Sequence, residues 1–388
     1  MNRDRTHDIV LFGATGFTGR LVAEYLARRA GASPFPWAVA GRSAQKLERL
    51  QTELGLPASV GVIEADVADP ASLAAMARQA RVIITTVGPY ASHGEPLVAA
   101  CVAEGTDYVD ITGEPDFVDL CLERYDAPAR EKGLRIVNCC GFDSIPHDLG
   151  ALFTVEKLPA GEPIHLEGFV RAQGTFSGGT LHSAIGAMGS MRHRPKRPPS
   201  TPSYEPAPRK ARGIKARIHY DRDQRAWVCP LPTIDPQIVL RSARALDAYG
   251  PDFRYGHYAQ VRSTFKLAAG LAGLGALLAL SQIPPARALL GKIRNPGEGP
   301  TAEERARAWF QVTFRGKAAT RQIVTRVSGG DPGYTETAKM LSESALCLAH
   351  DRDRLPPHTG VITPAIAMGN LLIDRLQQAG IRFELLEG

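Results

Sequence analysis

The stretch DIVLFGATGFTG, residues 8–19, decides the fold of this chain. Its first five residues predict a short buried strand, and the residues after Gly19 carry apolar side chains at helical spacing. Between them, Gly13 permits a tight turn, Gly16 lets the backbone approach a pyrophosphate, and Gly19 allows the helix to pack closely on the strand. An ordinary glycine-rich turn is the alternative. The flanking strand and helix favour a dinucleotide-binding turn.

The same strand–helix rhythm continues to about residue 140. Further strands are predicted at 37–40, 60–63, 82–87, 108–111 and 134–139, with a helical pattern between each pair. Such alternation is typical of an α/β, Rossmann-type doubly wound parallel sheet. We therefore assign residues 1–150 to a Rossmann domain.

The end of the second strand indicates which dinucleotide binds. NAD-binding sheets usually place an acidic residue there to hold the ribose diol, but this strand ends AGRS at 40–43. Arg42 offers a planar cation suited to a 2′-phosphate, and Ser43 and Lys46 could assist. The alternative is a solvated arginine at a helix start. We predict NADP as the cofactor.

Other residues near the carboxyl ends of the strands are candidates for cofactor contacts. Asp66 could accept a hydrogen bond from the adenine amino group, or it could cap the next helix. The segment Val87–Tyr90 should pass beside the nicotinamide ribose. The complete predicted cofactor set is Gly13, Thr15, Gly16, Phe17, Thr18, Gly19, Arg42, Ser43, Lys46, Asp66, Val87, Gly88, Pro89 and Tyr90.

Tyr90 is the candidate proton donor, with a packed aromatic residue on a loop as the alternative. His93 is a weaker candidate. In the segment GFDSIPHD, residues 141–148, the side chains of Asp143, Ser144 and His147 could face a substrate or cap the following helix. No Tyr-x-x-x-Lys pair follows the first domain, so the short-chain dehydrogenase mechanism is not supported. The six cysteines match no zinc spacing, and no metal is predicted.

The remainder of the chain has a different pattern. Strands predicted at 163–173, 215–220, 309–315 and 321–328 suggest an antiparallel sheet in a second α+β domain, residues 151–332. Helical patterns at 334–350 and 363–379 predict C-terminal helices within 333–388. The polar N-terminus shows no signal peptide, which predicts a cytoplasmic protein.

Two segments of the second domain stand out by composition. The window 192–217 holds nine basic residues and one acidic residue. Its own net charge, nine minus one or +8, exceeds the net charge of +6 of the whole chain. A charge surplus confined to one segment argues against a nucleic-acid partner, and 192–212 is predicted to be a mobile loop. The apolar segment 265–281 predicts a helix that is buried, lies in a homodimer interface, or dips into one membrane leaflet next to the basic loop.

Together these residues resemble the saccharopine dehydrogenase-like oxidoreductases, in the branch that includes mycobacterial trans-acting enoyl reductases. The matching stretches are GATGFTGRLVAEYL, AGRSAQKL, TTVGPYASHGEPLVAAC, YVDITGE, CGFDSIPHDLG, TAKMLSESALCLA and GVITPAIAMG. The resemblance implies a Rossmann domain, an inserted α/β domain, and C-terminal helices that return to the first domain. It also implies NADP use, and lipid-linked substrates in some members.

The function expected from this reading is NADPH-dependent reduction of a hydrophobic enoyl or acyl substrate of lipid or polyketide type. Hydride would pass to an electron-poor alkene carbon, and the resulting enolate needs stabilisation and a proton. Two alternatives stay open. One is a ketone or imine reductase for a small substrate, and the other is a non-catalytic NADP-binding protein of lipid surfaces.

Overall fold

The computed structural model describes residues 5–174, 209–215, 217–281 and 299–388. These residues divide into two compact units. The first unit comprises the described residues up to 145 together with 334–381. The second comprises the described residues of 146–333 together with 382–388. The chain therefore leaves the first unit after its sixth strand and returns to it for the C-terminal helices.

The first unit is built on a seven-stranded parallel sheet with the order β14-β6-β5-β4-β1-β2-β3. Its strands are β1 (His7–Phe12), β2 (Trp37–Gly41), β3 (Gly61–Glu64), β4 (Ala80–Thr85), β5 (Asp107–Asp110), β6 (Arg135–Val137) and β14 (Gly360–Ile362). The order confirms the predicted doubly wound sheet. The order in which strands are added reverses at β1. The chain first adds β2 and β3 on one side of β1 and then adds β4 on the other side. A reversal of this kind opens a ligand-binding crevice at the carboxyl ends of the strands.

Helices connect and cover these strands. They are α1 (Phe17–Ala32), α2 (Ala44–Leu54), α3 (Pro70–Gln79), α4 (Tyr90–His93), α5 (Glu95–Glu104), α6 (Pro115–Glu131), α11 (Thr335–His350), α12 (Pro364–Ala367) and α13 (Gly369–Gln378). Helix α11 packs against α1, α13 and β4. Its Glu343 is fully buried and takes a hydrogen bond from Tyr25 and ion pairs from Arg29 and Arg375. The carboxylate of Glu343 thereby joins α11, α1 and α13. It needs these partners, because an isolated buried charge would be strongly destabilising.

The second unit contains an eight-stranded sheet within the described residues, ordered β15-β13-β12-β7-β11-β10-β9, with β8 also on β11. Its strands are β7 (Ile164–Gln173), β8 (Lys210–Gly213), β9 (His219–Asp221), β10 (Ala226–Pro230), β11 (Asp252–Val261), β12 (Trp309–Lys317), β13 (Gln322–Gly329) and β15 (Arg382–Glu387). Its helices are α7 (Ile145–Val155), α8 (Asp235–Ala245), α9 (Thr264–Ser281) and α10 (Ala302–Arg307).

This sheet corrects the expectation of an antiparallel arrangement. Strand β11 pairs in parallel with both β7 and β8, so the sheet is mixed. The predicted strand at 215–220 also differs in extent: among its described residues, the paired strand is His219–Asp221, which lies against β10. Short strands of three to five residues show too few alternations for their pairing to be predicted from sequence.

Two expectations about chain segments also change. Residues 192–208 of the basic segment lie outside the described residues, but Lys210–Gly213 is a strand and not part of a mobile loop. The C-terminal region 333–388 is not helical throughout, since β14 joins the first sheet and β15 pairs with β13 in the second. No described helix combines the length and apolar character needed to cross a membrane.

Candidate functional site

The turn between β1 and α1 depends on two glycines for its shape. Gly13 has φ +88°, and a Cβ atom built on it would lie 2.8 Å from Thr86 Oγ1 and Val87 Cγ2. A Cβ atom on Gly19 would lie 2.1 Å from the carbonyl oxygen of Gly13. The backbone conformation at Gly13 and the close approach at Gly19 both exclude side chains.

Gly16 is different, because the protein itself leaves room beside it. It is the N-cap of α1 with an extended backbone, and no side chain caps the helix. A Cβ atom on Gly16 would meet only the carbonyl oxygen of Gly13, at 3.4 Å. Backbone N–H groups and the helix dipole at such an N-terminus favour an anion. The turn therefore offers a cradle that fits a cofactor pyrophosphate and that a side chain at Gly16 would fill.

The other residues of the turn differ in exposure. Thr15 is exposed and Thr18 is partly buried. Phe17 packs its ring edge-on against Tyr334, with the centroids 4.8 Å apart. Phe17 thus joins the turn to the residue that precedes α11, while Thr15 presents its hydroxyl to solvent.

The end of β2 presents a cation. Gly41 is buried, and the next residue, Arg42, is exposed and makes no salt bridge with the described part of the chain. Ser43 caps α2 by accepting a hydrogen bond from the backbone N–H of Lys46 at 3.4 Å. The side chain of Lys46 is exposed beside it. The guanidinium of Arg42 is thus accessible at the strand end where the ribose 2′-phosphate of NADP would bind.

Asp66, after β3, holds a turn and does not cap the next helix. One carboxylate oxygen accepts a hydrogen bond from the backbone N–H of Ala68 at 2.9 Å. Asp69 then caps α3 through the N–H of Ala71. Asp66 therefore stabilises the turn between β3 and α3, which its position in the sequence did not distinguish from an adenine contact.

The end of β4 lies directly beside the glycine turn. Thr86 Oγ1 donates a hydrogen bond to the carbonyl oxygen of Gly13 at 3.1 Å. Gly88 and Pro89 follow, joined by a cis peptide bond, and both are exposed. The segment Val87–Pro89 is thus held at the carboxyl edge of the sheet, next to the anion cradle.

Tyr90 packs into the interior of the first unit. Its side chain is buried, and its hydroxyl donates to the carbonyl oxygen of Thr85 at 3.0 Å. Burial, with the nearby carboxyl group of Asp110, raises the pKa of Tyr90 well above its usual value. The ring packs against Phe117, with the centroids 5.6 Å apart. These contacts match the packed-aromatic alternative, and the role of Tyr90 as proton donor stays a prediction.

Two acidic residues that the sequence reading did not select organise this edge. The carboxylate of Glu114 accepts hydrogen bonds from the backbone N–H groups of Tyr90 and Ala91, at 3.0 and 2.8 Å. It thereby holds the start of α4. Glu114 lies in the stretch YVDITGE, just after β5. Asp66 was selected because ligands collect at the carboxyl ends of parallel strands, and the same rule could have selected Glu114.

Asp110, the last residue of β5, is fully buried. It accepts hydrogen bonds from Tyr108, Asn138 and the backbone N–H groups of Thr112 and Cys139. Burial raises the pKa of Asp110 to about 6. These four bonds connect the ends of β5 and β6.

The residues of the GFDSIPHD segment differ in their surroundings. Asp143 is exposed and lies close to Gly113, within the first unit. Ser144 is buried, and its hydroxyl donates to the carbonyl oxygen of Asp143. His147 belongs to the second unit and lies buried beside Asp235.

Comparisons with known proteins show which family the chain resembles. Residues 9–137 match the model of the saccharopine dehydrogenase NADP binding domain. A Mycobacterium tuberculosis protein provisionally named a trans-acting enoyl reductase is 38% identical, over 98% of this chain and 97% of its own length. The trans-acting enoyl reductase of Mycobacterium ulcerans is 35% identical over 97% of each chain.

A human relative and a solved structure extend the likeness. The human saccharopine dehydrogenase-like oxidoreductase is 34% identical over 98% of each chain. Yeast saccharopine dehydrogenase (L-Glu forming) has a similar fold, with a TM-score of 0.57 at 12% identity, covering 98% of this chain and all of that one. At that identity the solved structure shows the fold alone.

Proposed function

Because this chain belongs to the saccharopine dehydrogenase-like oxidoreductase family, we propose that it is an NADPH-dependent reductase of hydrophobic enoyl or acyl substrates. The observation that carries the proposal is the open helix N-terminus at Gly16, which fits a dinucleotide pyrophosphate. The mycobacterial relatives of the chain are named for enoyl reduction, which supports the choice of reaction. The accessible Arg42 supports the choice of NADPH over NADH. The substrate is proposed to be of lipid or polyketide type.

The chain contributes binding and orientation to this reaction. The turn at Gly13–Gly19 would hold the pyrophosphate, and Arg42, with Lys46 nearby, would hold the 2′-phosphate. When bound, NADPH supplies a hydride for the alkene carbon β to a thioester carbonyl. The electron pair of the double bond moves to the enolate, which takes up a proton at the α carbon. Because the hydroxyl of Tyr90 already donates to Thr85, we propose another group or water as the source of that proton.

Turnover of a defined substrate series tests the proposal. The purified protein should consume NADPH with enoyl thioesters, faster as the acyl chain lengthens, and mass spectrometry should detect the saturated product. Turnover only with small ketones or imines would support the ketone or imine reductase instead. Tight NADPH binding without turnover of any of the three classes would contradict the enzymatic proposal and favour a non-catalytic lipid-surface protein.

A second candidate function is peripheral contact with anionic membranes. Helix α9 carries an exposed Phe265, at 81% of its full accessibility, and neighbouring exposed residues Ala268 and Ala269. An exposed apolar segment combined with basic residues would have both features that peripheral membrane binding requires. The exposure at the start of α9 counts against burial in the chain's own core. A contact with a second copy of the chain is the competing occupant.

A further inference from the structure

Three elements of the second unit bring titratable side chains together in its interior. His147 lies on α7, Asp235 is the first residue of α8, and His257 lies on β11. All three are buried, with at most 4% of each residue exposed. Nδ1 of His147 is 2.8 Å from Oδ1 of Asp235, and Nε2 of His257 is 3.5 Å from Oδ2 of the same carboxylate. The two imidazole rings meet edge to face at 4.9 Å.

The donor set is suited to a transition metal. One ligand atom from each residue can be chosen so that all lie within 4.8 Å of one another. Two imidazole nitrogens and a carboxylate oxygen are ligands that zinc accepts, at about 2.0–2.2 Å each. A zinc ion would replace the direct contact between His147 and Asp235, and these two donor atoms would move slightly apart to surround it.

Neighbouring groups orient these ligands as the outer residues of metal sites do. The hydroxyl of Tyr255 lies 3.1 Å from Nδ1 of His257, which fixes the ring so that Nε2 faces Asp235. Thr233 donates from its hydroxyl to Oδ2 of Asp235. Hydrogen bonds to the outward side of ligating histidines and carboxylates are the rule in metal centres. Nε2 of His257 is buried and makes no hydrogen bond of good geometry within the described residues.

We propose that His147, Asp235 and His257 bind a zinc ion in the second unit. The ion would tie α7, α8 and β11 together, in the same region where Ser242 on α8 donates to the buried Asp148 on α7 at 2.5 Å. The full burial of the cluster argues that the ion stabilises the unit. The sequence reading found no such site because the ligands lie 88 and 22 residues apart along the chain.

Metal content of the intact protein tests the proposal without any turnover assay. Tag-free protein should retain zinc at about one ion per chain after dialysis, measured by mass spectrometry of the metal. Apoprotein prepared with a chelator should bind zinc by calorimetry, and its melting temperature should rise on reloading. Co²⁺ in the same apoprotein should show visible d–d absorption bands. A wild-type protein that neither retains nor rebinds zinc would overturn the proposal.

Substitutions then locate the site. His257→Gln should abolish stoichiometric binding and the Co²⁺ bands, and Tyr255→Phe, which keeps the ring, should weaken zinc affinity about 10- to 100-fold. His219→Gln is the matched control, because His219 is an exposed histidine of the same sheet. Zinc binding that survives His257→Gln, or that is lost equally in the His219 control, would place the ion elsewhere. Failure of enoyl reduction would leave these results unaffected.

Discussion

The hydroxyl of Tyr90 donates a hydrogen bond to the carbonyl oxygen of Thr85, 3.0 Å away, and accepts a weaker one from the N–H of Ile111 at 3.4 Å. These two bonds link the start of α4 to the ends of β4 and β5. The hydroxyl is therefore part of the support beneath the exposed Gly88–Pro89 segment, and does not point out of the sheet edge.

Replacing Tyr90 by Phe should consequently affect stability more than catalysis. Loss of the hydroxyl leaves a buried carbonyl and N–H without this partner, at a cost of about 1–3 kcal/mol in the free energy of unfolding. The turnover rate with an enoyl substrate should stay close to that of the wild type. Denaturant unfolding and steady-state kinetics measure the two effects. A turnover rate reduced about a hundredfold or more would restore Tyr90 as the proton donor.

Gly16→Val should abolish NADPH binding while the protein remains folded. The added side chain has room in the protein but fills the pyrophosphate cradle. Gly19→Ala is the informative comparison, because its Cβ atom collides with the Gly13 carbonyl and should disturb folding itself. Cofactor titration measures NADPH binding, and circular dichroism measures folding. Gly16→Val should lose only the binding, whereas Gly19→Ala should also lose folded structure. Unchanged NADPH affinity in Gly16→Val would show that the phosphates bind elsewhere.

Arg42→Ala should remove most of the preference for NADPH over NADH. A charge-assisted contact with the 2′-phosphate accounts for a factor on the order of ten to a hundred in affinity. Arg49→Ala, which removes the same charge from an exposed position on α2, should leave the preference intact. Titration of both cofactors against the three proteins measures this. Equal affinity of the wild-type protein for NADH and NADPH would contradict the assignment.

Asp110 should make stability depend on pH in a direction opposite to that of a salt-bridged acid. Its pKa rises by burial from 3.8 to about 6, so the folded state binds the proton more tightly than the unfolded chain. Its contribution is then fully present below about pH 4 and is lost as the pH rises towards about 6. Asp110→Asn should lack this dependence. Unfolding curves of both proteins across this range should diverge in their pH slopes, and parallel slopes would contradict the pKa shift.

The membrane proposal predicts salt-sensitive binding to anionic liposomes. Phe265→Ser should reduce co-sedimentation, because it removes a large apolar side chain of α9 that is 81% exposed. Tyr220→Ser changes another exposed aromatic residue of the same unit and should have little effect. High ionic strength should weaken the binding, since headgroup attraction is screened. If the wild-type protein stays in solution with anionic liposomes at low salt, the proposal fails, and sedimentation analysis for a dimer becomes the next test.

Local patterns predicted the first unit well. In β1 the apolar run, the glycine spacing and the helical stripe that follows all describe the same strand–turn–helix, and each depends on residues close in sequence. The absence of an acid beside Arg42 is likewise a local feature. Such signals need no knowledge of distant partners, because backbone sterics and helix periodicity act within a few residues.

Long-range packing decided the rest. Whether Tyr90 faces a ligand or the interior depends on Thr85, Ile111 and Phe117, and whether β11 pairs in parallel depends on strands far away in sequence. The cluster of His147, Asp235 and His257 also exists only once α7, α8 and β11 are packed. The sequence alone thus determined the dinucleotide turn and the parallel sheet around it. The tertiary structure decided which polar side chains are buried together and which remain accessible, because burial and side-chain pairing depend on all the elements that surround a residue.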